Sequence, residues 1–210
     1  MSEPNNATKN IKSSKKNYLQ RSRAITAVAI FASLAIILHL SPIKIPAPYA
    51  PFLIYELWEI PIFAAFYLYG ARISLAVAFI NFLSLLVLFP GMLPSGPIYN
   101  LIAISATILG LLIVSHITGS VSRFQRSFWP FSLTILVAPS IRVLVMTIVN
   151  ATMLPVSAPL GLNMPFEVVI AILPLIGFFN ASVAIYSIVI ARIIIRTISA
   201  TTRISLRYGV

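Results

Sequence analysis

Seven side chains set among long apolar runs could do chemistry: Glu56, Glu59, Arg142 and the asparagines Asn81, Asn100, Asn150 and Asn180. Glu56 and Glu59 are spaced i, i+3, so on a helix they share one face. A helix N-terminus stabilises a carboxylate, and Glu167 reads as such a cap at the start of the last apolar run. One of the Glu56/Glu59 pair suffices for capping; the second asks for another role. Arg142 lies inside an apolar run, where a guanidinium needs an anionic partner. Glu56 or Glu59 can supply it, and an anionic ligand is the alternative.

The asparagines admit two readings. Polar groups in a membrane segment turn toward the bundle interior, where they bond neighbouring helices. Small polar companions at helical spacing fit that: Ser74 and Ser84 with Asn81, Thr107 with Asn100, Ser187 with Asn180. Asn100 and Asn150 at the outer ends of their spans, with Asn81 and Asn180 about halfway down, would equally line a pocket in the outer half for an uncharged polar ligand. Tyr49, Phe52, Tyr55, Trp58, Phe63, Phe66 and Tyr99 crowd the same region, as an interfacial belt or as stacking surfaces for a flat ligand. Trp129 reads as a belt anchor.

Other chemistries lack their residues. The chain has no Cys and no Asp, and its two histidines, His39 and His116, are far apart. Neither a thiolate nucleophile nor a Cys or His-rich metal site can be assembled. No phosphate-binding G-x-x-x-x-G-K-[ST], HExxH or G-x-S-x-G motif is present. The sequence offers no catalytic constellation, and an enzyme is not expected.

The elements that must position these residues are membrane helices. Of 210 residues, 59% are hydrophobic and 9% charged, against about 25% charged in soluble domains. Apolar runs at Ala24–Leu40, Phe52–Tyr69, Ile73–Phe89, Ile98–Ile117, Phe128–Val149 and Phe166–Ala191 each approach the ~20 residues of a crossing. The first run exceeds a signal-peptide core and no clear cleavage site follows it. The expectation is an all-α, six-helix membrane bundle over 24–196, with basic tails at 1–23 and 197–210.

The formal net charge is +11. With the N-terminus in the cytoplasm, thirteen of the fifteen Lys and Arg residues fall on that side; only Lys44 lies outside and Arg142 within a span. That asymmetry predicts both termini inside. Bases that flank apolar spans do not form a nucleic-acid face. The outer connectors PIKIPAPYAP, PGMLPSGP and the segment near Ala151–Pro165 are rich in Pro and Gly, and read as a lid or as short surface links. In the first span Ser22, Thr26, Ala29 and Ser33 form a small-residue stripe, suited to packing within the bundle or to docking a partner helix.

Taken in order, these segments resemble the substrate-binding S component of energy-coupling factor (ECF) vitamin transporters, the riboflavin-binding type most of all. That type carries F-L-x-Y-D-x-x-D-I-P followed by an aromatic-rich helix; here the stretch reads FLIYELWEIPIFAAFYLYGA, with Phe52, Leu53, Tyr55, Ile60, Pro61 and Gly70 in frame. Asn81 matches an Asn of the next helix, Gly96, Pro97 and Asn100 match Gly-Pro-x-x-Asn, and Met146, Thr147, Asn150 and Pro155 match M-T-x-x-N followed by Pro. Asn180 matches the helix-6 Asn more loosely. The sequence departs in having Glu56 and Glu59 for both Asp, Gly70-Ala71 for Gly-Pro, and Val183 where the riboflavin type has Lys.

The resemblance implies a binding subunit in the cell membrane that takes up riboflavin, or another small vitamin-like heterocycle. It would work with a transmembrane coupling subunit and two cytoplasmic ATPases, which alone would use ATP; no cofactor or metal is implied for this chain. It implies Leu53, Tyr55, Glu59, Asn81, Asn100, Asn150 and Asn180 as pocket residues; the charges read above add Glu56 and Arg142 as a supporting polar network. Thr26, Ala29 and Ser33 would dock the partner. A membrane scaffold or assembly subunit, whose asparagines only pack helices, remains the alternative from another class; the lack of internal repeats speaks against a standalone carrier.

Overall fold

The computed structural model describes residues 4–88, 95–119 and 128–202. Arg123, Arg126, Arg203 and Arg207, and most of the PGMLPSGP connector, lie outside them. Among the described residues six helices and one hairpin follow in order: α1 (Pro4–Leu40), β1 (Ile45–Ala47), β2 (Ala50–Tyr55), α2 (Glu59–Tyr69), α3 (Ala71–Leu88), α4 (Ser95–Thr118), α5 (Phe128–Met153) and α6 (Phe166–Thr202). Five of these helices contain segments long and apolar enough to cross a membrane.

The second apolar run departs from expectation. Phe52–Tyr69 is not one helix: its first part belongs to strand β2, and α2 has only 11 residues, about 16 Å. Proline is the physical reason. Pro46, Pro48 and Pro51 remove backbone donors and bias the residues before them to extended conformations, which a hairpin accepts and a helix does not. Pro61 falls in the first turn of α2, where its missing N–H is harmless. The antiparallel pairing sets Ile45 opposite Tyr55 and Pro46 opposite Ile54, with an irregularity before Ala47.

Helix α2 is the hub. Every residue from Glu59 to Tyr67 is buried, as befits a short helix apolar on all faces. It packs against α1, α3 and α6, while α4 and α5 pack on each other and α5 on α6. Phe63, Phe66, Ile62, Ile104, Ile108, Leu111 and Ile188 fill the core between them. Gly70, with φ of 86°, lets the chain reverse between α2 and α3. Gly110 lets α4 approach α5: a Cβ there would stand 2.5 Å from the Ala138 Cα.

Helix α1 turns Ala27, Ala32 and Ala35 inward. Ser22, Thr26, Ala29 and Ser33 are all on its exposed face, together with Ile25, Ile30 and Ile37. The stripe therefore makes no close helix crossing among the described residues.

Candidate functional site

A cavity of about 290 Å³ opens at the hairpin end of the bundle. The start of α4 contributes Gly96, Tyr99, Asn100 and Ala103; the second half of α5 contributes Arg142, Met146 and Asn150. Helix α6 contributes Ile176, Phe179, Asn180, Val183 and Tyr186, and the hairpin and start of α2 contribute Leu53, Ile54, Glu56, Trp58 and Glu59. Helical spacing explains these sets: 142, 146 and 150 fall on one stripe of α5, and 176, 179/180, 183 and 186 on one stripe of α6.

The structure resolves the partner of Arg142. Its Nη1 and Nη2 donate to Glu59 Oε2 and Oε1 at 2.6 and 2.9 Å, a bidentate pair in which both residues are only 3% exposed. Its Nε donates to Asn180 Oδ1 at 3.0 Å. This geometry satisfies a guanidinium far better than a single contact. Glu59 also lies in the first turn of α2, where the helix dipole favours its charge. Glu56 takes different partners: Lys44 Nζ at 3.1 Å and the Trp58 indole N–H at 3.0 Å.

These bonds fix what the amides present. Asn180 uses its oxygen on Arg142 and one N–H on the Ile176 carbonyl at 2.9 Å, so it has an N–H left to donate. Asn150 gives an N–H to the Met146 carbonyl at 2.7 Å and keeps its oxygen as an acceptor. The Asn100 side chain makes no hydrogen bond among the described residues and offers both functions. Donor, acceptor and mixed amide thus line one hollow, beside the rings of Trp58, Tyr99, Phe179 and Tyr186.

Two expected pocket residues lie elsewhere. Tyr55 does not line the cavity; its hydroxyl bonds Ser182 Oγ at 2.8 Å and the Tyr49 hydroxyl at 2.6 Å. It joins the hairpin to α6, as do the Tyr186 hydroxyl donating to the Glu56 carbonyl, the Tyr55–Phe179 ring contact and the edge contact of Tyr49 on Phe178. The Tyr49 phenol is pushed up to about 12, first by desolvation and then by its hydrogen bond to Tyr55. Asn81 is buried in α3, which contributes no cavity residue, and its Oδ1 has no hydrogen-bond partner among the described residues. Phe63 and Phe66 fill the core, and the Phe52 side chain lies outside the described residues.

Phe179 and Tyr186 join the lining without having been expected there, although both stand on the α6 stripe through Asn180; Ser187, its expected companion, lies one position beyond Tyr186. The segment after α5 is ordered at the cavity mouth: Leu162 N and Met164 N both donate to the Leu154 carbonyl, and the Tyr99 hydroxyl donates to the Leu160 carbonyl at 2.8 Å.

No protein-family model and no curated protein sequence matches this chain. Among solved structures, the S component of a bacterial ECF transporter is similar with 22% identity and a TM-score of 0.67, over 86% of this chain and 97% of that one. The chain is a multi-pass membrane protein with the fold of that ECF transporter S component.

Proposed function

We propose that this chain is the substrate-binding S component of an ECF-type transporter and that the cavity captures a small, uncharged, polar heterocycle. Riboflavin is the first ligand to test, and another vitamin-like heterocycle is the alternative. The observation that carries the reading is the charge state of the cavity wall. Glu59 and Arg142 neutralise each other, Glu56 is matched by Lys44, and Val183 stands where the riboflavin type has Lys. What is left for a ligand is amide donors and acceptors plus aromatic faces, which suits a heterocycle edge carrying N–H and C=O groups. At 290 Å³ the cavity is at the small end of ligand sites, which run about 300–1,000 Å³.

The assignment of sides follows the bases. Arg21, Arg23, Arg72, Arg192 and Arg196 belong to the helix ends opposite the hairpin, so both termini are placed in the cytoplasm and the cavity outside. On this reading the hairpin and α2 in series take the place of a second crossing, for a count of six. The exposed Thr26, Ala29 and Ser33 on α1 supply a close-packing face for a transmembrane coupling subunit, with two ATPases beneath it. The absence of a phosphate-binding loop in the sequence fits that division of labour.

Titration of the purified chain in detergent with riboflavin, followed by quenching of flavin fluorescence, tests the ligand. Saturable one-to-one binding supports riboflavin. No binding of riboflavin together with a different heterocycle in the purified protein selects the alternative. Absence of any bound or bindable heterocycle overturns the reading in favour of a scaffold.

A further inference from the structure

A second cluster of polar groups stands at the cavity mouth and is not used by the amide lining. His39, in the last turn of α1, faces Glu56, Lys44 and Trp58, which the chain brings in from the following loop and the hairpin end. The His39 ring lies 5.1 Å from the Trp58 ring, centroid to centroid. Its Nδ1 is buried, has no hydrogen-bond partner among the described residues, and sits 3.9 Å from Glu56 Oε2. That same oxygen accepts the Trp58 indole N–H, while Lys44 holds the other carboxylate oxygen. Glu56 and Trp58 both line the cavity.

We infer that His39 is a proton-operated clasp: protonation ties the end of α1 to Glu56 and Trp58 and tightens the mouth of the cavity. In the neutral Nε2–H tautomer Nδ1 carries only a lone pair and gains nothing from a carboxylate oxygen 3.9 Å away. A proton on Nδ1 turns the same approach into a charge-assisted hydrogen bond. Burial of the His39 ring opposes its charge; of the charged groups facing it, Glu56 attracts the imidazolium and Lys44 repels it. Between the two charges Glu56 acts more strongly than Lys44, because 14% of its side chain is exposed whereas Lys44 is 44% exposed and screened by solvent. A carboxylate can accept from Lys44, Trp58 and His39 together. The C-terminal end of α1 favours a cation as well. The clasp operates whatever the cavity binds.

The test uses the full chain in detergent with two reporters and no ligand. In a Trp129→Phe background, Trp58 is the remaining tryptophan; in a His116→Gln background, His39 is the remaining histidine for ¹⁵N-imidazole NMR. Trp129 and His116 are both exposed and outside the cavity lining. The expected result is a one-proton transition between about pH 4.5 and 6.5, seen as quenching of Trp58 emission and as conversion of the His39 ring to imidazolium. Glu56→Gln lowers the midpoint by about one pH unit. His39→Gln abolishes the Trp58 transition, and at pH 5 its hairpin residues 45–55 exchange backbone hydrogens faster than those of the parent. An imidazole that stays neutral down to pH 4.5 overturns the proposal. So does a Trp58 transition that survives in folded His39→Gln, or a midpoint that Glu56→Gln leaves in place.

Discussion

The two ends of the bundle each bury an arginine and hold it differently. At the hairpin end Arg142 meets a carboxylate in bidentate geometry and an amide oxygen, beside a cavity. At the opposite end Arg192 lays its guanidinium over the Phe131 ring, 3.7 Å from the centroid, among packed apolar side chains. The first arrangement satisfies a charge completely and leaves neighbouring amides oriented toward a hollow. The second sets a guanidinium against an aromatic face outside the cavity lining. The contrast teaches that burial of a charge does not by itself mark a site; what marks it is a network whose satisfied members leave others with hydrogen bonds to give.

The sharpest way to break this comparison is to remove each cation. Arg142→Leu strands Glu59 in the bundle and is expected to cost about 3–5 kcal/mol, read as a loss of folded protein in thermal unfolding. Arg192→Leu removes a ring contact and leaves the Glu59–Arg142 pair intact, so it is expected to cost less than Arg142→Leu. The double variant Glu59→Leu/Arg142→Leu recovers much of the loss, because no charge is left unpaired. Equal damage from the two single arginine variants would erase the distinction.

Next in size is the helix crossing between the ends. Gly110→Ala places a methyl 2.5 Å from the Ala138 Cα and forces α4 from α5, at an expected cost of about 1–3 kcal/mol by the same unfolding assay.

The asparagines sharpen the comparison at the level of binding. Asn150→Leu removes an acceptor from the cavity wall and is expected to weaken ligand binding about tenfold or more, the effect of a lost hydrogen bond of about 1–3 kcal/mol. Asn81→Leu leaves affinity unchanged, since α3 does not reach the cavity. Parallel titrations of the two variants decide it; a similar loss in both would reduce the amides to helix packing.

Much of this site was legible before the fold was seen. A chain with four acidic residues and one intramembrane arginine has few ways to neutralise it, so the pairing of Arg142 with Glu56 or Glu59 followed from scarcity. Choosing Glu59 required the direction in which α2 begins, which depends on the hairpin. The hairpin itself was hidden because Phe52, Leu53 and Ile54 are apolar and continue into an apolar helix; composition sees one long run, and only the prolines betray the break. Asn81 was misplaced for another reason. Spacing puts a residue on a face of its helix but does not say which neighbour that face meets.

The smallest expected effect concerns pH at the seam between hairpin and α6. Desolvation and the hydrogen bond to Tyr55 push the Tyr49 phenol up to about 12 in the folded chain, above the unfolded value of about 10. Its contribution to stability is therefore complete below pH 10 and is lost as the pH rises through 12. Unfolding temperatures of Tyr49→Phe and the parent should keep a constant offset from pH 7 to pH 9 and converge above pH 10; an offset that changes between pH 7 and pH 9 points to a different titrating group.

The central claim is that uncommitted amides at one end of the bundle capture an uncharged heterocycle. Mass spectrometry of the small molecules released from the purified chain, set against those from Asn100→Leu/Asn150→Leu purified alongside, tests it most directly. The account predicts one neutral heterocycle near one equivalent per chain in the parent and its loss from the folded double variant. Equal small-molecule content in the two preparations, or a bound anion in the parent, contradicts it.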